Sequence, residues 1–428
     1  MTFELRPFDF TLLFPLAFSI SLLLVVPAIR LLRSRAGRLG MIDAPDGDRH
    51  VHGSPVPNVG GIGIFFACGI TLALMLVVAR IGSGLPLRTD ALTAILGGAA
   101  AMHLLGLLDD RRRLSVGTKL AAQAAIATAV FAGGLRITGV TFPIVGPVEF
   151  GTGLSLFLTV GWLVGLTNAF NLIDGADGVA GGAALTAALA MFVVALVLGQ
   201  PVIALALVIV AGAVLGFLFF NFPPATVFLG NSGSLFVGFL LAALGLAGSS
   251  KATTVLAIAI PVVSLGLPVL DTLLAIVRRL IRGDRITQGD LGHIHHRLLD
   301  LVHSPRKVAL ILYASCAVFA LASLVLLNPD HRAVGVVFLI VGAAVLVGVQ
   351  RLRVPELLQL GRAMPNALSP GLPLRRYAGQ EIPVAGEAEL AAILGNVALS
   401  ANASTQDWEG ARMIVDPLTG PELDPVPY

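Results

Sequence analysis

The chain has 428 residues, of which 56% are hydrophobic and only 12% are charged, and its mean hydropathy is +0.90. A soluble domain carries about 25% charged residues, so this composition excludes a soluble globular enzyme. The net charge of +3 is too small to indicate a surface that binds a nucleic-acid backbone, so we do not expect nucleic acid as a partner.

Apolar runs recur along the chain, and each is long enough to cross a bilayer. A hydrocarbon core about 30 Å thick needs about 20 helical residues, and backbone groups in lipid must be paired within their own segment. The sequence therefore predicts an all-α integral membrane bundle of about 11 transmembrane helices. The predicted spans are Phe10 to Ile29, Val59 to Val78, Ala91 to Leu108, Val116 to Gly134, Gly153 to Asn168, Val179 to Leu198, Pro201 to Phe220, Ser232 to Ala247, Thr253 to Val277, Val308 to Leu327 and Ala333 to Val349.

Lys and Arg fall mostly in the loops of one side when successive loops alternate across the membrane. The positive-inside rule then predicts that this side is cytoplasmic and that the amino terminus lies outside. Residues 1–353 form the predicted membrane domain. The segment 354–428 is rich in Pro, Gly and Ala, and we expect it to be a cytoplasmic tail or a small accessory domain.

Polar residues are concentrated in four loops of the predicted cytoplasmic side. Ionisable groups next to membrane helices are costly and usually serve a site. In chain order, the four loops carry Asp109 and Asp110 in GLLDDRRR, then Asn168, Asn171, Asp174 and Asp177 in NAFNLIDGADG, then Asn221 and Asn231 in NFPPATVFLGNSGS, and finally His293, His295 and His296 in GDLGHIHHRL. Asp271 in LPVLDTL lies late in the span that precedes the fourth loop.

Each cluster taken alone also has a simple structural interpretation. The paired aspartates could close a helix in a hydrated loop, DGADG could cap a helix, LGNSGS could be a turn and HIHH could be an interfacial loop. Their conjunction on one membrane face favours a site. Carboxylate and amide oxygens suit Mg²⁺, and imidazoles suit a diphosphate, so the chemistry that fits is group transfer at phosphate.

With these motifs in hand, the chain resembles the polyprenyl-phosphate N-acetylhexosamine-1-phosphate transferases, the superfamily of MraY and WecA. The resemblance covers roughly residues 33–349, and the motifs come in the expected order. They are HGSPVPNVGG, LLGLLDDRRRLSVGTKLAAQ, TNAFNLIDGADGVAGG, NFPPATVFLGNSGSLFVGF, LPVLDTLLAIVRR and GDLGHIHHRL. Such enzymes transfer an N-acetylhexosamine-1-phosphate from a UDP-sugar to a polyprenyl phosphate and release UMP at the cytoplasmic face of the bacterial inner membrane.

The resemblance also implies roles for single residues. It assigns catalysis to Asp109 and Asp110, with Asp109 as the base or lipid-phosphate activator, and contact with the diphosphate to His293, His295 and His296. It assigns Mg²⁺, with Mn²⁺ as an alternative, to Asn171 and Asn231. It assigns substrate binding to Asn168, Asp174, Asp177, Asn221 and Lys119.

Two positions depart from the family pattern. Asn231 stands where the family usually has a metal-binding aspartate, and Asn58 stands where WecA relatives often have arginine. HIHH resembles the WecA branch, which favours a GlcNAc-1-phosphate donor for surface polysaccharide synthesis. The alternatives are a phospho-MurNAc-pentapeptide transferase of the MraY type, or a membrane scaffold weakened by Asn231. The expected partners are the UDP-sugar, undecaprenyl phosphate and the bilayer; a homodimer stays open, because no stretch identifies an interface.

Overall fold

The computed structural model describes residues 10–43, 55–83, 90–142, 146–249, 255–282 and 293–327, with short pieces at 335–336, 339, 341–343, 345, 374–377 and 380–383. The chain divides into two units, Met1–Val354 and Pro355–Tyr428. The described part of the second unit is one antiparallel pair, β5 (Leu374–Tyr377) with β6 (Gln380–Pro383).

The first unit is built from apolar helices. In chain order they are α1 (Phe10–Leu39), α2 (Gly60–Ser83), α3 (Asp90–Arg112), α4 (Val116–Ala132), α5 (Thr152–Ile173), α6 (Val179–Val197), α7 (Pro201–Asn221), α8 (Gly230–Ser249), α9 (Val255–Ser264), α10 (Gly266–Arg282), α11 (Ile294–Val302) and α12 (Pro305–Val325). Among the described residues, 8 of these helices are long and apolar enough to cross a membrane, namely α1, α2, α3, α5, α6, α7, α8 and α12. The α-helical membrane class predicted from hydropathy is therefore confirmed.

Three predicted spans differ from this set. The span predicted for 116–134 is the 17-residue helix α4, which is apolar but short. The span predicted for 253–277 is interrupted at Leu265, between α9 and α10. Pro268 has no N–H to donate to a preceding turn, which favours a break here. Gly266 packs closely on α12, since a Cβ there would lie 2.4 Å from the Phe319 ring. The span predicted for 333–349 lies largely outside the described residues, so the count of 11 stays a prediction.

Helix α8 occupies the centre of the bundle, since 83% of its apolar window is buried. It packs against α2, α3, α5 and α6. Glycines allow this close approach: a Cβ at Gly61 would lie 2.2 Å from the backbone nitrogen of Gly233. The amino terminus of α8 is thereby held among the ends of several neighbouring helices.

Two small antiparallel pairs complete the first unit. Strand β1 (Ile42–Asp43) pairs with β2 (Val56–Pro57), and β3 (Gly139–Phe142) pairs with β4 (Gly146–Glu149). Beyond β2, the Phe228 N–H donates to the Pro57 carbonyl and the Gly60 N–H donates to the Phe228 carbonyl, both at 2.9 Å. The segment after β2 is thus fastened to the loop that precedes α8.

Candidate active site

Every predicted site residue lies among the described residues, and most of them meet at one end of the bundle. This end comprises the carboxyl ends of α3 and α5, the amino ends of α4, α6 and α8, and the short helix α11. Side-chain hydrogen bonds join these ends across large sequence separations.

Asp109 is paired with Lys119. The Lys119 Nζ atom donates to Asp109 Oδ2 at 2.9 Å, while Asp109 Oδ1 accepts the Leu114 N–H at 2.8 Å. Asp109 is buried, whereas the lysine side chain is 26% exposed. A carboxylate on a partly exposed ion pair can reach an entering phosphate once the lysine turns towards that phosphate.

Asp110, the next residue, holds the amino terminus of α8. Its Oδ1 accepts the Asn231 N–H at 2.9 Å and its Oδ2 accepts the Ser232 N–H at 3.0 Å. The first N–H groups of a helix have no partner within the helix, so a carboxylate there satisfies them and complements the helix dipole. The Asn58 amide also approaches Asp110, with Nδ2 at 3.4 Å from Oδ1. Asp110 thus fixes the position of Asn231 through the backbone N–H of that residue.

Asn171 and Asn231, the two predicted metal residues, lie side by side. Asn171 Nδ2 donates to Asn231 Oδ1 at 3.0 Å and to Ser234 Oγ at 2.7 Å. Ser234 was missed by the sequence reasoning, although its place one helical turn after Asn231 was a usable signal. Within the described part of the chain, no group of three or more His, Cys, Asp or Glu side chains converges as a metal site. A metal here would need the amide oxygens.

Asn168 and Gln123 form a reciprocal amide pair between α5 and α4. The Asn168 Nδ2 atom donates to Gln123 Oε1 and also to the Val164 carbonyl, the latter at 2.8 Å. Gln123 is buried, so the pair is a fixed polar contact between two helices. Lys119 lies one turn before Gln123 on α4. Lys119 contacts Asp109 near the end of α3, and Gln123 contacts Asn168 on α5.

The loop between α5 and α6 is fastened to the loop between α7 and α8. Asp177 Oδ2 accepts the Ala225 N–H at 2.9 Å, and buried Asn221 accepts the Gly178 N–H at 2.9 Å while donating to the Val227 carbonyl at 3.0 Å. Both polar atoms of the Asn221 side chain are therefore bonded to backbone groups, one in each loop. Its predicted role in substrate binding stays a prediction.

The three histidines stand at the start of α11. The His293 and His295 rings are nearly parallel at 5.8 Å between centroids, and the His295 and His296 centroids are 4.2 Å apart. His295 faces the loop after α5, because a Cβ at Gly175 would lie 3.3 Å from its ring. Both ring nitrogens of His295 are buried without a hydrogen-bond partner among the described residues.

The pKa values of Asp174 and His295 are both shifted. Burial raises the pKa of Asp174 well above its ordinary value, and repulsion from the neighbouring Asp110 adds to this shift. Burial and the adjacent His296 lower the pKa of His295 to about 4. His295 is therefore neutral at neutral pH, and its ring can offer one donor and one acceptor.

His103 and the two cysteines pack inside the bundle. His103 Nδ1 donates to the Ser232 carbonyl at 3.0 Å, and the ring stacks on Phe65 with ring centroids 4.2 Å apart. Cys68 and Cys316, the two cysteines, are both buried in apolar helices.

Comparison with known proteins identifies a family. The model of a family described as glycosyl transferase family 4 matches residues 92–249. The chain is 37% identical over 311 residues to the probable undecaprenyl-phosphate N-acetylglucosaminyl 1-phosphate transferase of Bacillus subtilis strain 168, which covers 72% of this chain and 84% of that protein.

Two further relatives are similar to the chain over much of its length. The chain is 35% identical over 344 residues to the decaprenyl-phosphate N-acetylglucosaminephosphotransferase of Mycobacterium tuberculosis strain H37Rv, covering 75% of this chain and 83% of that protein. It is 32% identical over 293 residues to the phospho-N-acetylmuramoyl-pentapeptide-transferase of Desulforamulus reducens, covering 64% and 83%.

Proposed function

The chain belongs to glycosyl transferase family 4, in its group of polyprenyl-phosphate N-acetylglucosamine-1-phosphate transferases, and from this premise we propose its reaction and its site. It transfers GlcNAc-1-phosphate from UDP-GlcNAc to undecaprenyl phosphate and releases UMP. The observation that carries the proposal is the convergence of Asp109, Asp110, Asn171 and Asn231 at one end of the helical bundle. The MraY-type alternative is less favoured, because the muramoyl-pentapeptide relatives are more distant.

The bond changes are simple. An oxygen of the polyprenyl phosphate forms a bond to the sugar-linked phosphorus, and the bond from that phosphorus to the bridging oxygen breaks. The bridging oxygen leaves with UMP, and the sugar stays on a polyprenyl diphosphate. Catalysis of such a transfer is mainly positioning and charge stabilisation.

Asp109 and Lys119 receive the acceptor in this proposal. The Lys119 ammonium leaves Asp109 Oδ2 and binds the polyprenyl phosphate, and the released carboxylate orients the attacking phosphate and takes any proton that it carries. The 26% exposure of Lys119, against the burial of Asp109, fits a cation that meets the ligand first. The neutral His295 faces the diphosphate of the donor, from which UMP leaves, and offers its one N–H to it.

The donor set around Asn231 fits Mg²⁺ or Mn²⁺. The Asn231 backbone N–H donates to Asp110, the Asn231 side-chain oxygen accepts from Asn171, and Asp174 is close enough to Asp110 for the two aspartates to repel each other. A divalent cation relieves such repulsion. The bound metal would supply charge neutralisation for the diphosphate. Since Asn231 brings no negative charge, Asp110 and Asp174 are the carboxylates that compensate.

We place this site on the cytoplasmic side of a bacterial inner membrane, with the amino terminus outside and residues 354–428 in the cytoplasm. The support is the excess of Lys and Arg in the loops on the site's side of the bundle. A donor made in the cytoplasm then meets a lipid acceptor at the same surface.

The test is UMP release from purified protein in detergent, with undecaprenyl phosphate, Mg²⁺ and a panel of UDP-sugars. We expect release with UDP-GlcNAc and none without the lipid. Asp109→Asn should lower the rate by at least about 100-fold, as for loss of a general base. Asp300→Asn, the same change at an exposed position on α11, is the matched control and should leave the rate unchanged.

Other outcomes separate the alternatives. Turnover of the muramyl-pentapeptide nucleotide instead of UDP-GlcNAc would move the chain to the MraY branch. Binding of UDP-GlcNAc without turnover, with turnover appearing in Asn231→Asp, would identify a silent scaffold. Full activity in Asp109→Asn would overturn the assignment of that aspartate.

A further inference from the structure

Asp271 is an almost fully buried aspartate, 2% exposed, on α10. We propose that Asp271 is a positioning residue which, through His293, sets the tautomer and the place of the histidines at the start of α11. The inference rests on the proposed function for its catalytic consequence, while its structural part stands by itself.

The carboxylate makes two bonds to neighbouring residues of one segment. Asp271 Oδ2 lies 2.8 Å from His293 Nδ1, and Asp271 Oδ1 accepts the Ile294 N–H at 2.9 Å. An ionised carboxylate only accepts hydrogen bonds, so the proton of His293 lies on Nδ1. Nε2 is then the one ring nitrogen that His293 can offer to a substrate.

The second bond decides where α11 begins. His293 is the residue before the first turn, and Ile294 is the first helical residue, whose N–H has no partner within the helix. Asp271 satisfies it from α10. His295, one residue further on, is thereby brought against Gly175 in the loop after α5.

The surroundings make this pair costly to rearrange. Asp271 and His295 border a small gap whose other walls are apolar, formed by Ile173, Leu267 and Leu312. A hydrogen bond to a charged group is stronger in such a setting than in water, and a polar atom without its partner is correspondingly unfavourable. Few alternative ring orientations of His293 would therefore compete with the observed one.

A helix-capping role alone and a tautomer-setting role make different predictions for Asp271→Asn. An amide has one accepting oxygen and one donating nitrogen, so the substituted side chain cannot accept from both His293 and Ile294. If its oxygen keeps the Ile294 N–H, its nitrogen faces His293 Nδ1, and the ring proton must move to Nε2. Ile294→Pro removes the N–H that Asp271 Oδ1 accepts, together with a buried side chain, while Asp271 Oδ2 keeps its contact with His293 Nδ1. Proline is tolerated at a first helical position, and His293 already has the extended ψ of 151° that precedes proline.

The experiment combines ¹⁵N NMR of the histidine rings with steady-state UMP release, both on the full chain in lipid nanodiscs. The His293 signals are assigned by their loss in His293→Gln. In the wild type we expect a protonated Nδ1 at His293. Asp271→Asn should reverse this and lower kcat by about 10–100-fold with little change in KM, as for other residues that orient a catalytic histidine. Ile294→Pro should keep the tautomer, because Asp271 Oδ2 still faces His293 Nδ1, and Asp300→Asn should keep both the tautomer and kcat.

The two readouts keep the inference falsifiable. An unchanged His293 tautomer in Asp271→Asn, or a reversed tautomer in Ile294→Pro, would overturn it. If the wild type releases no UMP at all, the proposed function fails, and the NMR comparison still decides whether Asp271 positions His293. If Asp271→Asn does not fold, His293 spectra of Ile294→Pro and the wild type, with and without UDP-GlcNAc, decide the matter, because the proposal requires the substrate to perturb Nε2 and not Nδ1.

Discussion

Gly106 on α3 offers a sharp test of how the site is assembled. A Cβ at this position would lie 2.2 Å from the Asn231 carbonyl oxygen and 2.6 Å from the Ser232 Cα, both of which are backbone atoms of α8. They cannot turn aside as a side chain would, so in Gly106→Ala the two helices must separate. Asp110 stands one helical turn after Gly106 and would lose its short bonds to the N–H groups of those same two residues.

The expected cost follows from these contacts. Overpacking costs about 1–3 kcal/mol, and each hydrogen bond to a charged group contributes about 1.5–3 kcal/mol when fully formed. Partial loss of both gives a destabilisation of about 3 kcal/mol, which at about 2–4 °C per kcal/mol lowers Tm by about 6–12 °C. UMP release should fall as well, because Asn231 moves with the backbone.

The assay is thermal unfolding in detergent together with UMP release, and Gly97→Ala is the matched control. Gly97 lies on the exposed side of the same helix, and a Cβ added there would have nothing within 4 Å, so alanine should be neutral or slightly stabilising. If Gly106→Ala melts and turns over like Gly97→Ala, then α3 and α8 are not in backbone contact and the account of Asp110 is wrong.

Three further predictions concern charge in the site. The raised pKa of Asp174 means that this carboxyl stays protonated to higher pH in the folded protein than in the unfolded chain, so stability falls as pH rises through that range. Asp174→Asn should therefore raise the Tm of metal-free protein at alkaline pH, and the gain should fade towards acid pH. An equal gain at every pH would contradict this. The pKa of His295 is lowered from 6.5 to about 4, so wild-type stability should decline as pH falls through that window, and His295→Gln should show a shallower decline in unfolding scans. Asn231→Asp should lower the Tm of metal-free protein but reduce the Mg²⁺ concentration needed for half-maximal UMP release several-fold, since it adds charge beside Asp110; an unchanged Mg²⁺ requirement would place the metal elsewhere.

Hydropathy predicted the helices well because the bilayer imposes one length on each of them. The spans of α1 to α3, α5 to α8 and α12 were located by counting apolar residues. The break at Leu265 was not, because the residues on both sides of it are as apolar as those of a continuous helix. Pro261, Gly266 and Pro268 were the available signal, and a window average conceals them.

The grouping of the site was predictable from motif order, whereas its hydrogen bonds were not. Side alternation predicts four polar loops on one face, and hydrogen bonds join the first three of them. The fourth brings His295 against Gly175 of the second loop. Which residue meets which depends on helix packing at close quarters, as at Gly106. Asn221 illustrates the difference, because its position in the site was expected but its bonds to two loop backbones were not.

Asp109 and Asp110 show why adjacent identical residues take different tasks. Consecutive helical residues point about 100° apart, so the two carboxylates on α3 must face different neighbours. Asp109 faces Lys119 at the start of α4, a flexible and partly exposed cation that a phosphate can draw away. Asp110 faces two backbone N–H groups of α8, which no ligand can draw away without unwinding a helix end. We therefore propose that Asp109 carries the charge that acts on the substrate and that Asp110 contributes by keeping Asn231 in place. Loss of Asp110 should then reduce stability and activity together.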